Sequence, residues 1–197
     1  MKLLIIKGSY HKGGFIASLI DQVAEGFCQG QSDNEVKVID LLDAKIEFCT
    51  GCKECGRNNQ NESVGSCVNK DDVSQIINDM LDADRLVLAS PVYYMGTTAL
   101  MKRFIERTIS LSYYPNNSYP RARNKANSKK KSGVIVSTDC PYPLNKIFLL
   151  SLYPMLLLKL VAKMAGFGKS KAFAASTNQE KYFIKRAYKL GKYLAEK

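Results

Sequence analysis

Three cysteines, Cys49, Cys52 and Cys55, recur at every third position of one polar stretch, and Cys67 follows after eleven intervening residues. Thiols separated by two residues in a loop can turn their sulfurs toward a common centre, and a fourth ligand can come from farther along, so the set suits a soft metal centre. A four-iron four-sulfur cluster would satisfy four thiolates, and structural zinc would satisfy them too. Two other stretches offer different chemistry. Gly8-Ser9-Tyr10-His11-Lys12-Gly13-Gly14-Phe15-Ile16 follows an apolar run and leads into a helical pattern. Glycines there let the backbone turn tightly, the free amides of a helix start point outward, and the helix dipole favours an anion. Ser9 adds a hydroxyl, Lys12 a charge, and His11, the one histidine of the chain, a second candidate contact. Neither the Lys-Ser/Thr ending of a Walker loop nor Gly-x-Gly-x-x-Gly is present, so a phosphate monoester fits better than a triphosphate or a dinucleotide. In Ala89-Ser90-Pro91-Val92-Tyr93-Tyr94-Met95-Gly96 a proline fixes the turn and aromatic side chains stand beside exposed amides, an arrangement that can hold a flat heterocycle.

These stretches need elements to position them, and the hydrophobic pattern supplies a βα alternation. Lys2–Lys7 reads as a strand and Gly14–Phe27 as a helix, followed by a strand at Glu35–Asp40, the cysteine-bearing loop from about Ala44 to Asn69, and a helix from Asp72 to Leu81. Asp72 is the expected N-cap, with Gln75 at the capping-box position. Arg85–Ala89 is apolar without alternation, as a strand covered on both faces should be. A helix at Thr97–Thr108 precedes a polar, basic stretch to Lys131; then come a strand at Gly133–Ser137, helical residues 145–165, a strand at Lys171–Ala175 and a last helix at Gln179–Glu196. Five strands joined by helices predict a doubly wound parallel sheet in one three-layer α/β/α domain spanning 1–197, because parallel neighbours require crossover connections.

Length and composition bound the rest. A chain of 197 residues with 46% hydrophobic and 24% charged residues has material for one substantial core. The longest apolar run, Ile147–Leu158, contains Pro154 and falls short of the roughly 20 residues of a bilayer span. The N-terminal run is too short for a secretory signal, so the expected location is the cytoplasm, where thiols stay reduced and a disulfide framework is not expected. A net charge of +11 raises nucleic acid as a partner. The excess sits in Arg121, Arg123, Lys125 and Lys129–Lys131, and in Lys181, Lys185, Arg186, Lys189 and Lys192. A solvated loop and a solvated helix face account for both, and nucleic acid is not the expected partner.

Taken in order, Gly8-Ser9…Gly13-Gly14, Cys49-Thr50-Gly51-Cys52-Lys53-Glu54-Cys55, Cys67-Val68-Asn69-Lys70-Asp71-Asp72, Ser90-Pro91-Val92-Tyr93-Tyr94 and Lys102-Arg103-Phe104-Ile105-Glu106-Arg107 resemble the NADPH-dependent FMN reductase and iron-sulfur flavoprotein family. The resemblance runs over about residues 2–140. It implies a flavodoxin-like fold, with FMN phosphate in the first loop at Ser9, His11, Lys12, Gly13, Gly14, Phe15 and Ile16. The isoalloxazine would lie against Pro91, Val92, Tyr93, Tyr94, Met95 and Gly96, and Ser137, Thr138 and Asp139 fall where the family often makes a third flavin contact. The resemblance also implies that Cys49, Cys52, Cys55 and Cys67 are the ligand set where a cluster is held, although relatives with similar cysteines and no cluster exist. NAD(P)H is the implied donor. The sequence departs from the family where Tyr10-His11 and Phe15-Ile16 replace the usual Pro-Arg and Asn-Thr, which removes three side-chain donors to phosphate.

Cys28 is expected to pack in the core on the first helix, and Cys140 has no assigned role. The helix around Ile147–Leu160 is apolar on more than one face, so a second cover is needed, and a homodimer is expected. Two functions compete. One is an FMN-dependent oxidoreductase serving a small-molecule or protein electron donor and acceptor; the other is a non-catalytic flavodoxin-like binding module that docks through the 121–131 basic run.

Overall fold

The computed structural model describes residues 1–57, 61–115, 119–147 and 149–196, with the backbone alone at 146 and 147. In chain order the first half comprises β1 (Lys2–Lys7), α1 (Phe15–Cys28), β2 (Glu35–Asp40), α2 (Glu54–Arg57), α3 (Val73–Asp82), β3 (Arg85–Tyr93) and β4 (Gly96–Thr97). There follow α4 (Ala99–Arg107), β5 (Ser112–Tyr113), β6 (Arg121–Ala122), β7 (Asn127–Thr138), α5 (Leu144–Ile147), α6 (Leu152–Met164), β8 (Phe167–Ser176) and α7 (Glu180–Ala195). Strands β2, β1, β3, β7 and β8 lie side by side in that order, every neighbouring pair parallel. In register, Ile5 stands between Val38 and Val87. The short β4 folds back antiparallel on the end of β3, and β5 pairs with β6 apart from the main sheet.

Leu3 to Ile6 are apolar without alternation because both faces of β1 are covered. Leu3 and Ile5, with Val87 and Ile135, pack under α1 and α7 through Leu19, Phe27 and Phe183. Leu4 and Ile6, with Leu88 and Val134, pack on the other face under α3, α4 and α6 through Ile77, Phe104 and Leu158. This is the three-layer flavodoxin-like α/β arrangement. On the first face α1 and α7 approach backbone to backbone: a Cβ at Gly26 would stand 2.3 Å from the Tyr188 carbonyl oxygen, and one at Gly191 2.2 Å from that of Val23. The chain leaves β1 toward β2 and returns across it to β3, so the loops after β1 and β3 diverge and leave a crevice at the carboxyl edge, where open α/β sheets bind ligands.

Several sequence expectations are corrected. β7 begins at Asn127, not Gly133, so Lys129–Lys131 belong to a strand and not to a solvated loop. Lys130 Nζ donates to the Leu81 carbonyl at 2.6 Å, and Lys131, 6% exposed, donates to Glu196 O at 2.9 Å and Tyr193 O at 3.3 Å. Arg85, equally buried, donates to Leu194 O and Glu196 O, so two cations satisfy the last carbonyls of α7, where the helix dipole favours them. Burial pushes the pKa of Arg85 and of Lys131 down. β8 starts four residues earlier than expected, at Phe167. The expected helix over 145–165 is interrupted around Leu149, whose φ of 53° lies in the left-handed region.

Asp72 precedes α3 but its side chain makes no cap. Its carboxylate accepts from Lys45 N at 2.7 Å, Gln75 turns to Asp79, and Asp71 Oδ1 takes the Val73 amide instead. Cys28 is exposed at the end of α1, not in the core. On α6 the outward side remains apolar and open, with Tyr153 59%, Leu156 55% and Leu160 53% exposed. Phe148 of the apolar run, Asn58–Gln60 of the polar insertion and Asn116–Ser118 of the Asn-rich stretch lie outside the described residues. Among the described residues no helix is long and apolar enough to cross a membrane.

Candidate functional site

Three loops meet at the carboxyl edge of the sheet around a cavity of about 240 Å³. The loop after β1 contributes Ser9, His11, Gly14, Phe15 and Ile16; the end of β3 contributes Pro91, Val92 and Tyr93; the end of β7 contributes Ser137, Thr138 and Asp139. Lys12, Gly13, Tyr94, Met95 and Gly96 lie outside this lining. Thr177, just past β8, joins it although no motif in the sequence marks it. The signal for it was topological, because the residue after any parallel strand emerges on the same edge.

Local chemistry explains each loop. Gly8 donates to the Ala89 carbonyl at 2.8 Å and accepts from Thr98 Oγ1 at 2.6 Å, locking the first loop to the start of α4. A Cβ at Gly8 would meet Met101 Cβ at 2.7 Å, so only glycine allows that approach. Ser9 is buried, and its Oγ accepts from the His11 amide at 3.2 Å, leaving its own hydrogen free to donate. Gly14 is the N-cap of α1 in extended conformation, no side chain caps the helix, and no acidic residue occupies its first turn. The first amides of a 14-residue helix therefore border the cavity without a side-chain acceptor, which suits a phosphate dianion. Lys12 is drawn elsewhere. Its ammonium pairs with Asp43 at 2.8 Å, so the charge expected to aid an anion is partly neutralised.

Residues Val92 to Thr97 form a hairpin whose two turn residues, Tyr94 and Met95, have φ of 51° and 63°. Positive φ at both central positions is the backbone of a type I′ turn, ordinarily held by Asn and Gly. Tyr94 is fully exposed and Met95 60% exposed, whereas Tyr93 stacks within 10° of parallel on Tyr10, ring centroids 6.4 Å apart. Tyr10 thus joins the first loop to the hairpin, a pairing the sequence did not suggest. In the third loop Thr138 Oγ1 accepts from Cys140 N, and Thr177 donates to Asp139 at 3.2 Å. The donor set fits an FMN: amides and hydroxyls for a phosphate, a proline-led aromatic turn for a ring.

A larger cavity, about 440 Å³, lies beside the cysteine loop. All four candidate ligands line it, Cys49 and Cys52 exposed, Cys67 half-buried and Cys55 buried, and all are free thiols. Its remaining wall is largely apolar, from Ile105 and Ile109 to Leu157, Val161 and Met164. Burial, and then the neighbouring thiols, push the Cys55 thiol up. The loop is held from behind by Arg107, which donates to Asp71 Oδ2 at 2.5 Å and Oδ1 at 3.0 Å, to Glu47 O at 2.8 Å and to Cys67 Sγ at 3.4 Å. Burial works to raise the Asp71 pKa, but the Arg107 hydrogen bonds and the Glu47 amide outweigh it and hold the carboxyl below its ordinary range. Arg123 donates to the Cys55 carbonyl at 2.9 Å, tying α2 to the residue that follows β6. Among the described residues no three His, Cys, Asp or Glu side chains converge on a single ion position. The four thiols share one cavity wall without being drawn to a common point.

The NADPH-dependent FMN reductase family matches residues 1–140. An iron-sulfur flavoprotein of Archaeoglobus fulgidus is 34% identical over 115 residues, 58% of this chain and 49% of that protein. One from Methanocaldococcus jannaschii is 31% identical over 108 residues, 55% of this chain and 52% of the relative. The chain thus spans about half the length of the curated relatives it matches. Among solved structures, an NAD(P)H:quinone oxidoreductase from Methanothermobacter marburgensis superposes with a TM-score of 0.74 at 16% identity, covering 100% of this chain and 98% of that one. An FMN-dependent NADH-azoreductase from Bacillus anthracis, solved with FMN, gives 0.68 at 13% identity over 99% and 98% of the two chains. Likeness at such low identity concerns the fold.

Proposed function

The chain belongs to the NADPH-dependent FMN reductase family, and we propose that it is an FMN-dependent oxidoreductase moving electrons from a nicotinamide donor to a small-molecule or protein acceptor. The observation that carries this reading is the convergence of three strand-end loops, with the uncapped start of α1, on one cavity at the sheet's crevice. Bound FMN supplies hydride acceptance and release of one or two electrons. The chain's own residues bind and orient it. Amides from Gly13 to Ile16 and the Ser9 hydroxyl take the phosphate, with His11 at the rim. Pro91 to Tyr93 set one side of the ring, Tyr94, Met95 and Gly96 extend that side at the hairpin, and Ser137, Thr138 and Asp139 close the opposite edge. No side chain needs to be assigned as proton donor. The exposed apolar side of α6 supports a homo-oligomer, and a cytoplasmic location is part of the same proposal.

A second reading concerns the same protein's cysteines. Four thiols on one cavity, with a guanidinium donating to Cys67, support an iron-sulfur centre held by Cys49, Cys52, Cys55 and Cys67. Such a centre would supply one-electron steps. The docking-module alternative loses its basis at Lys130 and Lys131, whose ammonium groups are spent on carbonyls of the fold.

An absorbance spectrum of protein purified without oxygen tests both readings. Flavin bands, or quenching of added FMN fluorescence in equimolar protein, are expected; a colourless protein that leaves FMN fluorescence unchanged would overturn the flavoenzyme. Zinc in place of iron on metal analysis would overturn the second reading alone.

A further inference from the structure

Lys7 and Asp40, the last residues of β1 and β2, are register partners across the parallel ladder. Their side chains form an ion pair of 2.7 Å, 7% and 18% exposed. A buried lysine ending a strand whose four preceding residues are apolar and buried is costly, because its ammonium must leave water and be fully satisfied by protein. It is satisfied by two partners: the Asp40 carboxylate and, at 3.1 Å, the carbonyl oxygen of Lys12 in the loop leading to α1. Asp40 is fixed in turn, since its Oδ1 accepts from Leu42 N at 3.0 Å. A nearby pair, Lys12 with Asp43, is 68% and 61% exposed, and pairs of that kind contribute little.

The peptide linking Lys12 to Gly13 is planar and trans, so its carbonyl oxygen and the Gly13 N–H point in opposite directions. Fixing the Lys12 oxygen on Lys7 therefore fixes the direction of the Gly13 amide. That constraint matters here because Gly13 has no Cβ to restrict its backbone and nothing lies within 4 Å of where one would be, so side-chain packing does not hold this residue. We propose that Lys7, backed by Asp40, is a positioning residue of the phosphate loop: it holds the Lys12–Gly13 peptide, which lies at the rim just before Gly14 enters the cavity lining, so that the Gly13 amide donates to an FMN phosphate seated there. The clasp takes over part of the work of the three side-chain donors that this loop lacks, and it rests on the flavin reading of the strand-end cavity.

Affinity for FMN and for riboflavin, which lacks the phosphate, separates a positioning role from a structural one. Wild-type protein is expected to bind FMN more tightly than riboflavin; equal affinity would overturn the phosphate assignment and, with it, the positioning role, an outcome distinct from the failure of Lys7 alone. Lys7→Met should weaken FMN by about tenfold, the loss of one charge-assisted hydrogen bond, while riboflavin affinity stays within about twofold. Lys7→Met leaves Asp40 buried without its partner, so the double variant Lys7→Met/Asp40→Leu removes both charges and should recover thermal stability while FMN binding stays weak. FMN affinity restored together with stability in the double variant, or equal losses for FMN and riboflavin in either variant, would show that Lys7 serves the fold alone.

Discussion

The strand-end cavity and the cysteine cavity are built by opposite means. Around the first, the positions of Ser9, Pro91 and Ser137 follow from the ends of β1, β3 and β7, which the core fixes on both faces of the sheet. Around the second, the thiols stand on a long excursion between β2 and α3 that has little apolar material of its own. Its shape depends on buried charge: the Arg107–Asp71 pair is 2% and 0% exposed and reaches Glu47 O and Cys67 Sγ at once. A site on strand ends inherits rigidity from the sheet. A site on a loop must be given it by a few polar contacts, each of which then carries a large share of the local stability.

The largest expected effect breaks the second site and spares the first. Arg107→Met strands Asp71 in the interior, and breaking such a pair costs about 3–5 kcal/mol. Chemical denaturation should report that loss, while FMN affinity of the folded fraction changes less than twofold; a cost under about 1 kcal/mol would show that the pair is not the support of the loop. Gly8→Ala acts in reverse. The added methyl collides with Met101 at the base of the phosphate loop, at a cost of about 1–3 kcal/mol, and FMN binding should weaken while the reactivity of Cys49 and Cys52 toward a thiol reagent stays unchanged.

Acid sharpens the contrast further. Asp71 is held below its ordinary range, so its pairing is fully present above the unfolded carboxylate pKa of about 4 and is lost as pH falls through the folded value. The stability difference between wild type and Asp71→Asn should be flat from neutrality to about pH 5 and shrink below that. A difference that grew on acidification would contradict the pairing. The smallest effect belongs to Cys52→Ala, an exposed position: stability should move by no more than about 0.5 kcal/mol, and under the iron-sulfur proposal bound iron is lost while FMN is retained. Simultaneous loss of FMN would show that the two cavities are not independent.

The elements legible in the sequence were those whose apolar pattern matched their burial. β1 and the centre of β3 are continuous apolar runs buried on both faces, and the loops that follow them were identifiable from glycine and proline punctuation. β7 shows where such reading fails. Its first residues, Asn127 to Lys129, are exposed, and Lys130 and Lys131 lie against the Leu81 carbonyl and the carbonyl end of α7, where ammonium groups replace apolar packing. Lys12 misled for a related reason: its charge looked available for an anion, and only the tertiary fold brings Asp43 to it. Asp71 and Asp72 are adjacent carboxylates of equal capping propensity, and the choice between them is made by Arg107, distant in sequence. Thr177 and Tyr10 enter the picture through topology and stacking, neither of which leaves a local signal.

The crossing of α1 and α7 carries a consequence for how this sequence can drift. At Gly26 and Gly191 the two helices touch through main chain alone, so a methyl at either position strikes a carbonyl of the other helix, and that carbonyl cannot rotate away as a side chain could. Mutation can then move through α1 and α7 only along the positions flanking this contact. In descendants of this chain the two glycines should persist together or be abandoned together, the second change following once the helices have moved apart.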